Sequence, residues 1–159
     1  DARVKVLLAG RLTRLKGQLV LVEAMARLKA AGRHDVLALL VGDDQGRSAY
    51  RAEVEAAIEA AGLADRVRLF GHCDDMPAAY LATDLAVVPS TVPETFGRTA
   101  VEPQAMGRPV IASSLGGLVE TVIPGETGWR VAPRSPDALA EALVAAVDAG
   151  PGQIGRAHV

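Results

Sequence analysis

Six short apolar runs, most of them closed by glycine or proline, alternate along the chain with segments whose apolar residues recur at helical spacing. The runs are Val4-Lys5-Val6-Leu7-Leu8-Ala9 before Gly10, Val36 to Val41 before Gly42, Val67-Arg68-Leu69-Phe70 before Gly71, Asp84-Leu85-Ala86-Val87-Val88 before Pro89, Pro109-Val110-Ile111-Ala112, and Gly128-Trp129-Arg130-Val131. Runs of this length without polar alternation read as strands buried on both faces. Between them, residues 17–31 place Leu19, Val22, Met25 and Ala26 on one helical face, with Gly32 as the stop. Ser48 reads as the cap of a helix reaching about residue 61, and residues 76–82, 98–106 and a short stretch ending at Val122 read as further helices. Ser135 and Pro136 open the last helix, as cap and first residue, and it extends to about residue 149.

Strand–helix alternation of this kind demands a parallel sheet with helices on both faces. Right-handed crossovers then favour a doubly wound, Rossmann-like α/β sheet of about six strands in the order 3-2-1-4-5-6. The chain has 159 residues with no internal repeat or linker, which predicts a single domain over 1–159. In that order strands 1 and 4 are neighbours and the winding reverses between them. Ligands bind at the carboxyl ends of the strands at such a switch point. Those ends carry residues 10–17 and 89–98, so the two least ordinary stretches of the sequence should face each other across one crevice.

Composition narrows the partners. Half of the residues are hydrophobic and 23% are charged, with a net charge of −2, so the chain is neither disordered by composition nor basic enough to suggest nucleic acid. Aromatic residues are only 3%, which argues against stacking along a single strand of bases. Cys73 is the sole cysteine, so no intrachain disulfide is available and a reducing, cytoplasmic setting is expected. No apolar run approaches the roughly 18 residues of a membrane span.

The first crevice loop reads Gly10-Arg11-Leu12-Thr13-Arg14-Leu15-Lys16-Gly17. It is neither a G-x-G-x-x-G fingerprint nor a P-loop. It supplies a forked guanidinium at Arg11 and a compact ammonium at Lys16, a combination suited to a diphosphate; solvated surface cations are the plainer alternative. The second loop, Pro89 through Thr99, leads into a helix that starts near Gly97. The unsatisfied amides of that helix start form an anion site, and Gly97 lets a ligand approach the backbone. Glu102 lies one turn inside, on the face of Arg98. It can accept from vicinal hydroxyls of a ribose or sugar, or form an i,i+4 ion pair with Arg98. Glu94, ahead of the helix, can accept from a second hydroxyl pair. His72, Cys73, Asp74 and Asp75 lack a second cluster to complete a zinc site. Asp43-Asp44 suits a turn better than a cation site, Trp129 suits the core, and His34 and His158 suit the surface.

Glu94 and Glu102 are separated by seven residues with Phe96-Gly97 between them, and the chain also carries Gly107-Arg108-Pro109-Val110-Ile111-Ala112-Ser113, Gly116-Gly117-Leu118-Val119-Glu120 and Gly125-Glu126-Thr127-Gly128. With the 10–17 loop, in this order and spacing, the sequence resembles the C-terminal, donor-binding domain of a family 4 (group 1) glycosyltransferase of the GT-B fold, over nearly its whole length. The resemblance implies that Arg11 and Lys16 bind the diphosphate of a nucleotide-sugar, that Glu102 holds the ribose, and that Glu94 holds the donor sugar. It implies that the amides of Phe96, Gly97, Arg98 and Thr99 meet sugar and phosphate, and that the loop 71–75, starting at Gly71, lies near the base. By the same resemblance Glu94, Lys16 and Arg11 would be the catalytic residues, and Gly10 would join the nucleotide-sugar-binding ones. Pro103 departs from the pattern, where the family usually has alanine; a proline inside a helix implies either a later helix start or a kink beside Glu102.

The same resemblance implies a retaining, metal-independent hexosyl transfer from a nucleoside-diphosphate sugar, without a further cofactor, of the kind used in cell-surface polysaccharide synthesis. The acceptor site of such enzymes lies on an N-terminal Rossmann-like domain that this sequence does not contain. Nucleotide binding without turnover is therefore expected, and any peripheral membrane association would come through that other domain. Another GT-B nucleotide-sugar enzyme, epimerase-like, or a non-catalytic nucleotide-binding or signalling module are the alternatives. Gly10-Arg11 stands where a response-regulator module would need its phosphoacceptor aspartate.

Overall fold

A computed structural model describes residues 1–46, 48–94 and 97–150, Ser48 by its backbone alone. Six parallel strands form one sheet: β1 (Val4–Ala9), β2 (Val36–Val41), β3 (Val67–Phe70), β4 (Leu85–Val88), β5 (Val110–Ser113) and β6 (Gly128–Val131). Their order is β3-β2-β1-β4-β5-β6, the doubly wound arrangement expected from the alternation. The switch point falls between β1 and β4, where Val6 pairs with Leu85 and Leu7 with Ala86.

Alternation along β1 divides the core. Val6 and Leu8 face α1 (Gln18–Ala30), α2 (Ser48–Ala60) and α6 (Pro136–Ala149), joining Leu21, Met25, Val54, Ile58, Leu139 and Leu143. Leu7 faces the other way, toward Tyr80 of α3 (Met76–Leu81), Ala100 of α4 (Arg98–Ala105) and Leu118 of α5 (Leu118–Thr121). Among the described residues three helices thus cover each face. Branched and aliphatic side chains with almost no aromatic ones fill both layers, and Trp129 packs against the first.

Helix ends follow local chemistry. The Ser135 hydroxyl accepts from the Ala138 amide at 3.1 Å and Pro136 follows at the first position, as the sequence indicated. Asp75 caps α3 in the same way, accepting from Ala78 N at 3.1 Å. Ser48 is corrected: it is the first residue of α2, one position inside the expected cap. β4 and β5 each begin one residue later than the apolar runs, at Leu85 and Val110. Of the two readings of Pro103, the later helix start is corrected. The helix starts at Arg98 and continues through Pro103, which lies buried in its second turn. Burial of the ring offsets part of the lost intrahelical bond, and the Pro103 carbonyl accepts from Arg108 N at 2.9 Å to close the helix. His158 lies outside the described residues.

Candidate functional site

The first loop is pinned to its surroundings by backbone bonds. Leu12 N donates to Asp43 O at 3.0 Å, tying the loop to the end of β2. Gln18, the buried first residue of α1, donates from Nε2 to the Arg11 carbonyl at 2.9 Å. Arg11 therefore has a fixed backbone and an exposed guanidinium, and among the described residues no carboxylate lies within ion-pair reach of it. A single 3-10 turn (Arg14–Lys16) follows and ends at Gly17.

The second loop leaves β4 beside the first. Thr91 N donates to Leu15 O at 3.0 Å, and the Thr91 hydroxyl donates to Arg14 O at 3.3 Å. Among the described residues the two loops share one ion pair. Lys16 Nζ lies 2.8 Å from Glu94 Oε1, with side chains 26% and 12% exposed. Glu94 is thus not a bare carboxylate and Lys16 is not a solvated cation. Each neutralises the other across 78 residues of sequence.

Gly97 caps α4. Its own amide and those of Arg98 and Thr99 find no acceptor among the described residues. Thr99 and Glu102, one turn apart, face the same cleft as Gly10 and Arg11. This cleft has a volume of about 460 Å³ and is lined further by Gly42, His72, Cys73 and Tyr80. The i,i+4 pair of Arg98 with Glu102 does not form; both side chains are exposed, and the Glu102 carboxylate has no hydrogen-bond partner among the described residues. Asp43 and Asp44 form the expected turn, accepting from Gln45 N at 2.7 Å and Gly46 N at 3.0 Å. His34 is exposed, as expected, and contacts Arg66.

Gly71 lies in an adjoining, more apolar cavity of about 530 Å³ walled by Leu39, Val41, Phe70 and Ala79. The two cavities share Val41, His72 and Cys73, so the loop 71–75 stands between them. His72 Nε2 sits 2.8 Å from Asp74 Oδ1. Among the described residues no group of three or more His, Cys, Asp or Glu side chains could hold a metal ion. Phe96, the remaining expected contact, lies outside the described residues.

Three participants were not legible from residue type: Gln18, Ser90 and Tyr80. Ser90 is fully buried and donates to Glu94 Oε1 at 2.7 Å. Tyr80 is buried on α3 and reaches the cleft wall near Glu102. Burial, and secondarily the Glu102 carboxylate, push its phenol up to about 12. The folded chain then keeps the Tyr80 proton to about pH 12, whereas an unfolded tyrosine loses it near about 10. Between those values the folded state binds more protons, so this contribution to stability is complete below about pH 10 and is lost as pH rises toward 12. An ultraviolet difference titration should show Tyr80 ionising near 12, and Glu102→Gln should bring that ionisation down slightly, since burial dominates; ionisation at the ordinary value in the folded chain would contradict the buried placement.

A doubly wound parallel sheet, with the 10–17 loop and the start of α4 meeting at a cleft beside its switch point, defines a Rossmann-like α/β fold. The chain belongs to the family described as glycosyl transferases group 1, whose profile matches residues 1–151. It is 36% identical over 146 residues to D-inositol 3-phosphate glycosyltransferase of Corynebacterium glutamicum, covering 90% of this chain and 35% of that protein. Among solved structures it resembles a glycosyltransferase from Rickettsia africae, at 34% identity and a TM-score of 0.91 over 99% of this chain and 42% of that one. It also resembles Anabaena HepE in complex with UDP-glucose, at 33% identity and a TM-score of 0.90 over 96% of this chain and 42% of that one. The chain thus spans about a third of the length of the curated relative. Among the described residues no helix is long and apolar enough to cross a membrane.

Proposed function

We propose that this chain is the donor-binding part of a retaining, metal-independent family 4 hexosyltransferase, which moves a sugar from a nucleoside-diphosphate sugar to an acceptor. The observation that carries this reading is the cleft that joins Gly10 and Arg11 to Thr99 and Glu102 at the switch point. Arg11 offers a fork for the diphosphate, and Lys16 offers a point charge beside it. The amides at the start of α4 complete the anion site. Glu102 faces the cleft without a protein partner among the described residues and accepts from the ribose hydroxyls. Glu94, beside Lys16, accepts from the transferred sugar. The base lies along the loop 71–75. Charge that develops on the departing diphosphate meets Arg11, Lys16 and these amides, the kind of fixed electrostatic support that is often the largest catalytic contribution. The resemblance to a protein solved with UDP-glucose supports a nucleotide-sugar as the ligand. The acceptor is supplied from a second domain, so this part alone binds nucleotide and does not transfer sugar; the whole enzyme works in the cytoplasm.

Calorimetry with UDP, GDP and ADP tests the reading. One of them should bind with a dissociation constant on the order of 10 µM to 1 mM, because a single cleft wall buries less of the ligand than a closed site. Chelation of divalent ions should leave this affinity unchanged. Glu102→Gln should weaken the ribonucleotide about tenfold while leaving the 2′,3′-dideoxy analogue unaffected, since its partner hydroxyls are already missing. No heat from any of the three at millimolar concentration would overturn the proposal.

A further inference from the structure

Glu94 is held more tightly than a loop carboxylate needs to be. Its main-chain carbonyl accepts from Gly117 N at 3.1 Å, so the turn before α5 fixes its backbone. One carboxylate oxygen, Oε1, accepts twice: from Lys16 Nζ at 2.8 Å and from the Ser90 hydroxyl at 2.7 Å. The other oxygen, Oε2, has no hydrogen-bond partner among the described residues. Ser90 itself is fully buried just beyond β4, two residues after Val88, where the strand fixes its direction.

We infer that Ser90 is a positioning residue for Glu94: its buried hydroxyl saturates Oε1 and orients the carboxylate so that Oε2 is the oxygen offered to a sugar hydroxyl. The inference rests on the donor-binding reading above and adds a residue to it. Its physical content lies in what happens to Lys16. Without ligand, the ammonium serves Glu94. With a diphosphate in the cleft, the ammonium is drawn toward the phosphate charge, and Glu94 at 12% exposure would lose its main donor. Ser90 is uncharged, so the phosphate does not compete for it as it competes for Lys16. It keeps the carboxylate hydrogen-bonded and aimed while Lys16 changes partner. A serine hydroxyl has a single proton, and here the structure commits it to Oε1, so the residue can orient Glu94 without itself reaching the ligand.

The experiment compares a nucleoside diphosphate with its sugar derivative on the same chain. The pairs are UDP with UDP-glucose, GDP with GDP-mannose, and ADP with ADP-glucose, and the pair that binds the wild-type chain is carried forward. Failure of every pair to bind overturns the donor-binding reading and this inference with it. For a pair that binds, Ser90→Ala should leave the diphosphate affinity within about twofold and weaken the sugar derivative by about five- to tenfold, the size of one oriented hydrogen bond. Ser90→Thr, which keeps a hydroxyl, should restore the sugar derivative to within about threefold. Ser90→Cys fills the same space with a poor donor and should behave like the alanine variant; it keeps the test intact if alanine destabilises the loop. A merely structural role predicts a lowered melting temperature with both ligands weakened by one common factor. That result, or unchanged affinity for the sugar derivative in both the alanine and cysteine variants, overturns the assignment to Ser90 while leaving the donor-binding reading in place.

Discussion

Gly17→Ala should destabilise the chain by about 2–5 kcal/mol, a large part of the stability of an ordinary domain. Gly17 separates the 3-10 turn from α1 with φ at +79°, in the left-handed region. A side chain there costs about 1–2 kcal/mol on conformation alone. A Cβ at this position would also lie 2.0 Å from the Pro89 carbonyl oxygen and 2.8 Å from its carbon. Both are backbone atoms, so no rotamer change relieves the overlap, and forcing the loops apart adds about 1–3 kcal/mol. Gly32 supplies the control. Its φ is +77°, but a Cβ there meets nothing within 4 Å. Gly32→Ala therefore reports the conformational cost, and the difference between the two variants reports how closely the two crevice loops are packed. Urea unfolding midpoints measure both. Equal losses for the two variants would mean that the contact between Gly17 and Pro89 does not hold the crevice together.

That contact illustrates what could and could not be read from the sequence. The sheet order was legible, because short apolar runs, helical spacing and right-handed crossovers leave few arrangements. The last helix was legible to the residue, because Ser135 and Pro136 act within their own turn. The later helix start inferred from Pro103 failed because propensity is local while burial is tertiary: the ring is buried, and the helix passes through it. The site was legible in its parts and not in its pairings. Spacing within one helix allowed an Arg98–Glu102 pair that does not form, whereas Lys16 meets Glu94 only because β1 and β4 are neighbours. Ser90 and Gln18 carried no signal, since a serine after a proline or a glutamine at a helix start is ordinary until its burial and partner are known.

The pairing of Lys16 with Glu94 changes what substitution of either should do. Lys16→Ala should weaken nucleoside diphosphate binding by about 1.5–3 kcal/mol, the range for a charge-assisted hydrogen bond, and weaken the nucleoside itself far less. It also strips Glu94 of its cation, but the pair is partly exposed and Ser90 still donates, so the cost in stability should be only about 1 kcal/mol. The binding loss should therefore exceed the stability loss, the reverse of what a purely structural ion pair would give. Glu94→Gln removes the competing anion and leaves Lys16 free for the phosphate. It should hold or slightly tighten nucleoside diphosphate binding while weakening the nucleotide-sugar. The double variant separates the two roles. If Lys16 acts on the phosphate directly, its substitution costs as much or more in the Glu94→Gln background, because the ammonium no longer has another partner to leave. If Lys16 only positions Glu94, that background makes its substitution silent. Calorimetry on the four chains, with unfolding midpoints alongside, closes the cycle, and a silent Lys16→Ala in the Glu94→Gln chain would place the ammonium away from the diphosphate.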